Sequence, residues 1–202
     1  MTADEIDLRG VRVLPGFIAP DAQAAMVAEL REVARVAPVM RPVTRRGPMS
    51  VRMTSAGTLG WVADRRGYRY EPLHPETGQP WPPIPPGVLA VWRAVSGVEV
   101  DPDSCLVNLY REGAKMGLHQ DRDEGDFGFP VVSISLGDEA LFRVGSVEKG
   151  GKTASIWLRS GDVAVMGGAA RLVHHGIDRV REGSSTLIAG GGRINVTLRV
   201  VR

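Results

Sequence analysis

The sequence predicts an α+β protein, mainly β, with helices near its N-terminus. Three observations predict it. From about residue 104 onward, short β-rich runs alternate with turn signals. Glycine is abundant, at 25 of 202 residues, and many glycines fall late in the chain, which favours turns and short strands over long helices. The last run, "RINVTLRVV" (193–201), alternates with period two. A series of short strands of this kind closes into a sandwich, a barrel or a jelly roll.

The elements follow in order. Residues 11–18, "VRVLPGFI", read as a short strand or an extended entry. Pro20 and Asp21 start a helix that runs to about Val36, with Met26, Leu30 and Val33 on one apolar stripe. Residues 37–85 hold many prolines and glycines together with Trp61, Tyr68, Tyr70 and Trp81, and read as short strands and loops outside the regular core. His74, flanked by proline in "PLHPET", is expected to be exposed. A second helix follows Pro85-Pro86, with Val88, Trp92 and Val95 inward and Gly97 as its stop. The β runs are "SCLVNLY" (104–110), "PVVSISL" (130–136), "ALFRV" (140–144), "ASIWL" (154–158), "DVAVM" (162–166) and the last one. In the last, Ile194, Val196, Leu198 and Val200 form a core face, while Arg193, Asn195, Thr197 and Arg199 share the other.

Length and composition narrow the class. A chain of 202 residues builds one sizeable core, so residues 1–202 are read as a single domain. The only cysteine, Cys105, lies in an apolar run and reads as a small buried hydrophobe; with no disulfide possible within the chain, a reducing compartment fits. No stretch approaches the ~20 apolar residues of a membrane span. The opening "MTADEIDLRG" is acidic and polar, unlike a signal peptide, so a soluble cytoplasmic protein is expected. A net charge of +2 excludes a molecule that is polyanion-binding as a whole. Its distribution is uneven: Arg41, Arg45, Arg46, Arg52, Arg65, Arg66 and Arg69 are opposed locally by Asp64 and Glu71. Such a segment is either a phosphate-binding patch or a solvated face.

The stretch "LHQDRDE" (118–124) raises a metal question. In an extended strand, residues i and i+2 point the same way, so His119 and Asp121 could grip one cation from two corners. A third ligand must come from His74, His174 or His175, and of the two adjacent histidines at most one can join. Two histidines and a carboxylate make the facial triad of non-haem Fe(II) oxygenases, and a catalytic zinc site looks similar in sequence. The arginine-bearing face of the last strand bears on the choice. Inside a barrel it would be costly without an anion to satisfy it. A dicarboxylate cosubstrate needs one metal-chelating end and one end held by a guanidinium fork, whereas a zinc hydrolase has no such need.

Taken in order, "NLYREGAKMGLHQDRDE", "PVVSISLG", "GDVAVMGGAARLVHHGI" and "GGGRINVTLRVV" resemble the AlkB family of Fe(II)- and 2-oxoglutarate-dependent nucleic acid demethylases. "GTLGWVADRRGYRYEPLHPETGQPWPPIP" is similar to that family's nucleotide-recognition region, and the likeness is collinear from about residue 45 onward. The resemblance implies a double-stranded β-helix, or jelly roll. An N-terminal extension with a helix would span 1–40, a nucleotide-recognition lid 41–85, and the dioxygenase core with its preceding helix 86–202.

By motif position, the resemblance implies that His119, Asp121 and His175 ligate Fe(II), with His175 chosen because Gly176 follows it. Arg193 and Arg199 would bind the two ends of 2-oxoglutarate, helped by Asn108, Tyr110 and Asn195. Trp61, Tyr68, Asp123 and Lys149 would meet the substrate nucleotide, and Arg171 matches a position near the iron. Strand parity likewise turns Asp123 toward the pocket, whereas Glu124 and Asp126 are expected to be solvated. With O2 as the second cosubstrate, the implied reaction is oxidative demethylation of N-alkylated bases such as 1-methyladenine and 3-methylcytosine in single-stranded DNA or RNA. This is direct-reversal repair that releases formaldehyde, carried out by a monomer.

Lys149, Met166 and His174 stand where the best-known member has arginine, tryptophan and tyrosine, which bears on base preference and removes no proposed ligand. Two other classes compete. One is an Fe(II)/2-oxoglutarate hydroxylase of a non-nucleic-acid substrate, against which the arginine-rich aromatic lid argues. The other is a non-catalytic modified-base binding module, which predicts a broken triad.

Overall fold

The structure is a computed structural model and describes residues 4–45, 47–111 and 113–202. Arg46, one arginine of the basic segment, lies outside the described residues. In chain order the strands before the second helix are β1 (Ile6–Leu8), β2 (Val11–Leu14), β3 (Val43–Thr44), β4 (Gly47–Pro48), β5 (Arg52–Gly57), β6 (Gly60–Asp64) and β7 (Gly67–Glu71). Helix α1 (Pro20–Val36) follows β2, and α2 (Pro86–Val95) follows β7. Then come β8 (Ser104–Tyr110), β9 (Met116–His119), β10 (Val131–Gly137), β11 (Glu139–Val144), β12 (Ala154–Leu158), β13 (Val163–Met166), β14 (His175–Arg181) and β15 (Arg193–Arg199).

Two antiparallel sheets form the jelly roll. The major sheet has the order β1-β2-β13-β10-β15-β8-β5, and the minor sheet β12-β11-β14-β9. The period-two pattern of β8, β10 and β15 explains what lies on each side. Cys105 and Val107, Ile134 and Leu136, and Ile194, Val196 and Leu198 face α1 and α2, whose Met26, Leu30, Val88 and Trp92 close one apolar core. The opposite parity faces the minor sheet, where Leu106, Tyr110, Val131 and Phe142 belong to a second core. Every residue of β15 is therefore buried, including its polar face. Gly97 ends α2 with φ +74°, a left-handed conformation that glycine adopts without strain.

Three readings of the sequence need correction. Residues 37–85 are not wholly outside the core: β5 pairs with β8 from Arg52↔Leu109 to Gly57↔Ser104, and Met53 and Ala56 are fully buried. Its "RMTSAG" has no simple alternation because four consecutive residues are buried. The strands β1 and β14 were not anticipated, since "IDL" is short and "HGIDRVR" carries three charges in its half-exposed second half, and the extended stretch expected over 118–124 lies instead at Met116–His119. His74 is buried rather than exposed. Its Nδ1 accepts from the backbone N–H groups of Glu76 and Thr77, so Nε2 donates to the carbonyl of Pro38 at 2.9 Å, and the ring packs on Trp81. It pins the loop that leads from the β6–β7 hairpin back to α2.

Among the described residues, no helix is long and apolar enough to cross a membrane. Cys105 is free and buried, and burial pushes its thiol up to about 12.

Candidate active site

The two sheets enclose a cavity of about 620 Å³, roofed by the β6–β7 hairpin. At one wall, His119 at the end of β9 pairs with His175 at the start of β14. Their rings lie 4.6 Å apart, centroid to centroid. His119 Nδ1 lies 2.9 Å from the carbonyl of Gly117, and His175 Nδ1 lies 3.1 Å from that of Val173. Both Nδ1 atoms thus donate, which leaves each Nε2 lone pair for a metal. Asp121 completes the group: Oδ1 is 3.6 Å from His119 Nε2, and Oδ2 is 3.8 Å from His175 Nε2. Ligand atoms of the three residues lie within 4.8 Å of one another.

Charge states suit ligation. Burial pushes His175 down to about 4, so its imidazole is neutral at pH 7. Burial alone would raise the Asp121 carboxyl; the Arg199 guanidinium beside it leads the charges that outweigh burial and hold the group below the usual carboxylate range. Two imidazoles and one carboxylate fit a first-row divalent ion with open positions, as in a facial triad.

Strand parity is not what delivers Asp121. The strand ends at His119, and residues 120–123 have no regular structure. Side chains from elsewhere hold this loop. Gln120 Nε2 donates to the carbonyls of Leu172 and Val147 at 2.6 and 3.0 Å. Arg171, also buried, donates Nη1 to the backbone carbonyl of Asp121 at 2.7 Å and Nε to that of Phe129 at 2.8 Å. Arg171 is therefore a support for the loop.

Gly176 adds a second constraint. A Cβ there would stand 2.5 Å from the Met116 carbonyl oxygen and 2.8 Å from that of Gly117, both on β9. Glycine after His175 lets β9 approach closely enough to bring the two histidines together. Gly176→Ala should push β9 outward and weaken divalent-metal binding by about tenfold, the cost of overpacking a tight contact. Calorimetric titration with Mn(II) checks this.

On the opposite wall, the inner face of β15 lies beside β8 and β10, with Asn195 opposite Asn108 and Ser135, and Arg193 opposite Tyr110. Asn195 donates to Ser133 Oγ and to the Ile134 carbonyl, and Thr197 Oγ1 donates to Asn195 Oδ1. Arg193 is 1% exposed, and its one hydrogen bond among the described residues is Nη2 to Ser135 Oγ at 2.9 Å. Its Nε and Nη1, Arg199 Nη1 and Asn108 Oδ1 are buried without partners among the described residues. Burial lowers Arg193 to about 10, with partial relief from Tyr110. Buried guanidinium donors left unsatisfied call for an anion. A dicarboxylate spanning the metal group and this wall supplies it, so the residues present fit 2-oxoglutarate.

The roof carries the aromatic residues. Trp61 and Tyr68 stack at 5.3 Å with 15° between ring planes. Trp61 Nε1 donates to Asp123 Oδ2 at 2.9 Å. Tyr68 is 58% exposed, and both rings line the cavity with Asp123 and Lys149. Met166 and His174 also line it. The basic segment is partly neutralised from within, since Arg69 pairs with Asp64 and Glu71, and Arg66 with Asp64.

Glu124 was expected to be solvated and is instead buried, held by Tyr70, Arg171 and Arg199. Tyr70, Glu124 and Arg171 form a layer behind the site whose partners lie tens of residues away. The acid-rich run around Glu124 was the only sequence signal, and it did not separate a buried acid from a solvated one.

A jelly roll with a His–Asp–His cluster facing a buried guanidinium wall defines the class of 2-oxoglutarate- and Fe(II)-dependent oxygenases. Residues 10–199 match the family model described as the 2OG-Fe(II) oxygenase superfamily. An alpha-ketoglutarate-dependent dioxygenase AlkB homolog of Caulobacter vibrioides is 55% identical over 194 residues, covering 96% of this chain and 88% of that protein. The alpha-ketoglutarate-dependent dioxygenase AlkB of Escherichia coli is 39% identical over 184 residues, covering 89% and 85%. Among solved structures, that of OsALKBH1 superposes with a TM-score of 0.79 at 31% identity, covering 97% of this chain and 99% of that one. The chain belongs to the AlkB family, and it is a dioxygenase that uses Fe(II), 2-oxoglutarate and O2.

Proposed function

We propose that this enzyme oxidatively removes N-methyl groups from bases such as 1-methyladenine and 3-methylcytosine in single-stranded DNA or RNA. One observation carries the reading: the stacked Trp61–Tyr68 pair roofs a cavity of about 620 Å³ that has His119, Asp121 and His175 on its wall. A flipped base needs a π-face to stack on and an edge contact. Tyr68 offers an exposed face, and Asp123, fixed by Trp61, offers a carboxylate that favours a cationic methylated ring. The exposed Arg52, Arg65 and Lys149 would meet the strand's phosphates.

His119, Asp121 and His175 would hold Fe(II). Arg199, which contacts Asp121, would take the metal-proximal end of 2-oxoglutarate. Arg193, deep beside Tyr110, would take the distal carboxylate, with Asn108 and Asn195 between them. Bound Fe(II), with 2-oxoglutarate and O2, supplies the oxidising chemistry, in which the cosubstrate ends as succinate and CO2. One oxygen atom enters the C–H bond of the N-methyl group. The resulting N-hydroxymethyl group loses its hydroxyl proton, its C–N bond breaks, and formaldehyde leaves as the base regains its nitrogen lone pair. The chain's own part is to hold the base edge at Asp123, exclude water beneath Trp61 and keep both carboxylates of the cosubstrate fixed. One chain supplies every group in the site, which supports action as a monomer, and the lone buried Cys105 supports a cytoplasmic setting.

The test is a formaldehyde and succinate assay with a 3-methylcytosine oligonucleotide, with and without Fe(II) and 2-oxoglutarate. Equimolar formaldehyde and succinate are expected. Succinate without demethylation would sink the repair reading and leave an oxygenase of another substrate. No turnover by fully metallated protein would sink both and favour a binding module.

A further inference from the structure

We propose that Glu124 is a positioning residue that joins the lid to the cosubstrate arginine through a Tyr70–Glu124–Arg199 relay. This rests on the assignment of Arg199 to 2-oxoglutarate made above. Tyr70 lies on β7 of the lid hairpin, and its hydroxyl donates to Glu124 Oε1 at 2.5 Å. The same oxygen lies 3.2 Å from Arg199 Nε. The other carboxylate oxygen accepts from Arg171 Nη2 at 3.0 Å. Arg199 gives Nε and Nη2 to Asp121 Oδ2, at 3.2 and 2.7 Å. One edge of its guanidinium is thus fixed by two carboxylates. Because the group is planar, fixing that edge also fixes the direction of Nη1, the buried donor left without a partner among the described residues.

Charge balance alone does not require Tyr70. Asp121 and Glu124 already match Arg171 and Arg199, all four of them buried. The phenol adds a donor from the lid to the oxygen that Arg199 also uses. When the hairpin lifts, Glu124 loses that donor and pulls harder on Arg199 Nε, which turns the fork. A seated lid therefore sets the aim of Nη1, and the nucleotide side of the cavity is linked to the cosubstrate side through this chain's own residues.

The relay is tested by binding, without turnover. Calorimetry measures the affinity of Mn(II)-loaded protein for 2-oxoglutarate, and a separate titration measures Mn(II) alone. Tyr70→Phe removes one hydroxyl and should weaken 2-oxoglutarate by about fivefold, the scale of one hydrogen bond, while Mn(II) affinity stays within about twofold. In turnover, the rise in KM for 2-oxoglutarate should exceed any fall in kcat. Glu124→Gln should weaken it further, and the double variant should fall short of the product of the two effects. Should Glu124→Gln fail to fold, Tyr70→Phe decides alone. Native-like 2-oxoglutarate affinity in Tyr70→Phe, or strictly multiplicative effects, would overturn the relay. Arg199→Gln separates the two ideas: if that variant binds 2-oxoglutarate like the wild type, the cosubstrate assignment fails, whereas if it binds poorly and Tyr70→Phe does not, only the relay fails.

Discussion

Asp121→Ala is expected to abolish turnover, with a fall of at least about 10³-fold. Loss of an outer partner of a metal ligand typically costs 10–100-fold, and Asp121 is itself the carboxylate of the cluster. Two effects combine. A metal held by the cluster would lose the single carboxylate among His119, Asp121 and His175. Arg199 loses the acceptor of two of its hydrogen bonds and keeps only Glu124 nearby. Breaking a buried pair ordinarily costs about 3–5 kcal/mol, and the retained Glu124 should place the loss toward the low end. Metal analysis after gel filtration, with a melting curve of the metal-free protein, separates these contributions. A variant that keeps stoichiometric iron and measurable turnover would show that the cluster of His119, Asp121 and His175 is not the metal site.

How much of this was legible beforehand differs from residue to residue. The polar face of β15 was read correctly from its alternation, because a period-two strand sorts its side chains wherever it lies. What alternation does not reveal is whether the second face is wet or buried; that depends on the minor sheet, built largely from residues 139–181. Asp121 was identified through strand parity, yet it reaches the histidines by a loop braced by Gln120 and Arg171. The structure does bring Asp121 to the two histidines, but by a different physical route. Glu124 was misread because burial of an acid depends on cations 47 and 75 residues further along the chain, Arg171 and Arg199. His74 was misread in the same way, since proline neighbours suggest an exposed loop until Pro38 and Trp81 are seen to close over it. Local periodicity reached the elements, and tertiary pairing decided the buried charges.

Arg193→Met should make the protein more stable and useless at once. In the wild type, a guanidinium that is 1% exposed has a single neutral partner among the described residues, Ser135, and two donors with none. Burial lowers it to about 10, which corresponds to a cost on the order of 3 kcal/mol for keeping the charge inside the folded protein. The sign matters. For a base whose folded-state value is depressed, the penalty is fully present below that value, hence at neutral pH, and eases only as the pH rises past about 10. Methionine keeps most of the volume, removes the charge and gives up one hydrogen bond, so a net gain of about 1–2 kcal/mol remains, or roughly 3–6 °C in Tm for a chain of this size. The same change removes the donors that the distal carboxylate would use, and on that assignment 2-oxoglutarate affinity should fall by about 10²–10³-fold. Bound cosubstrate stabilises only what it binds, by about 2.7 kcal/mol at a hundred times its Kd. The two melting curves should therefore cross: without 2-oxoglutarate the variant melts higher, and with saturating 2-oxoglutarate and Mn(II) the wild type does. If the variant melts lower under both conditions, Arg193 is satisfied in the folded protein by something other than the cosubstrate, and the anion-binding reading of β15 fails.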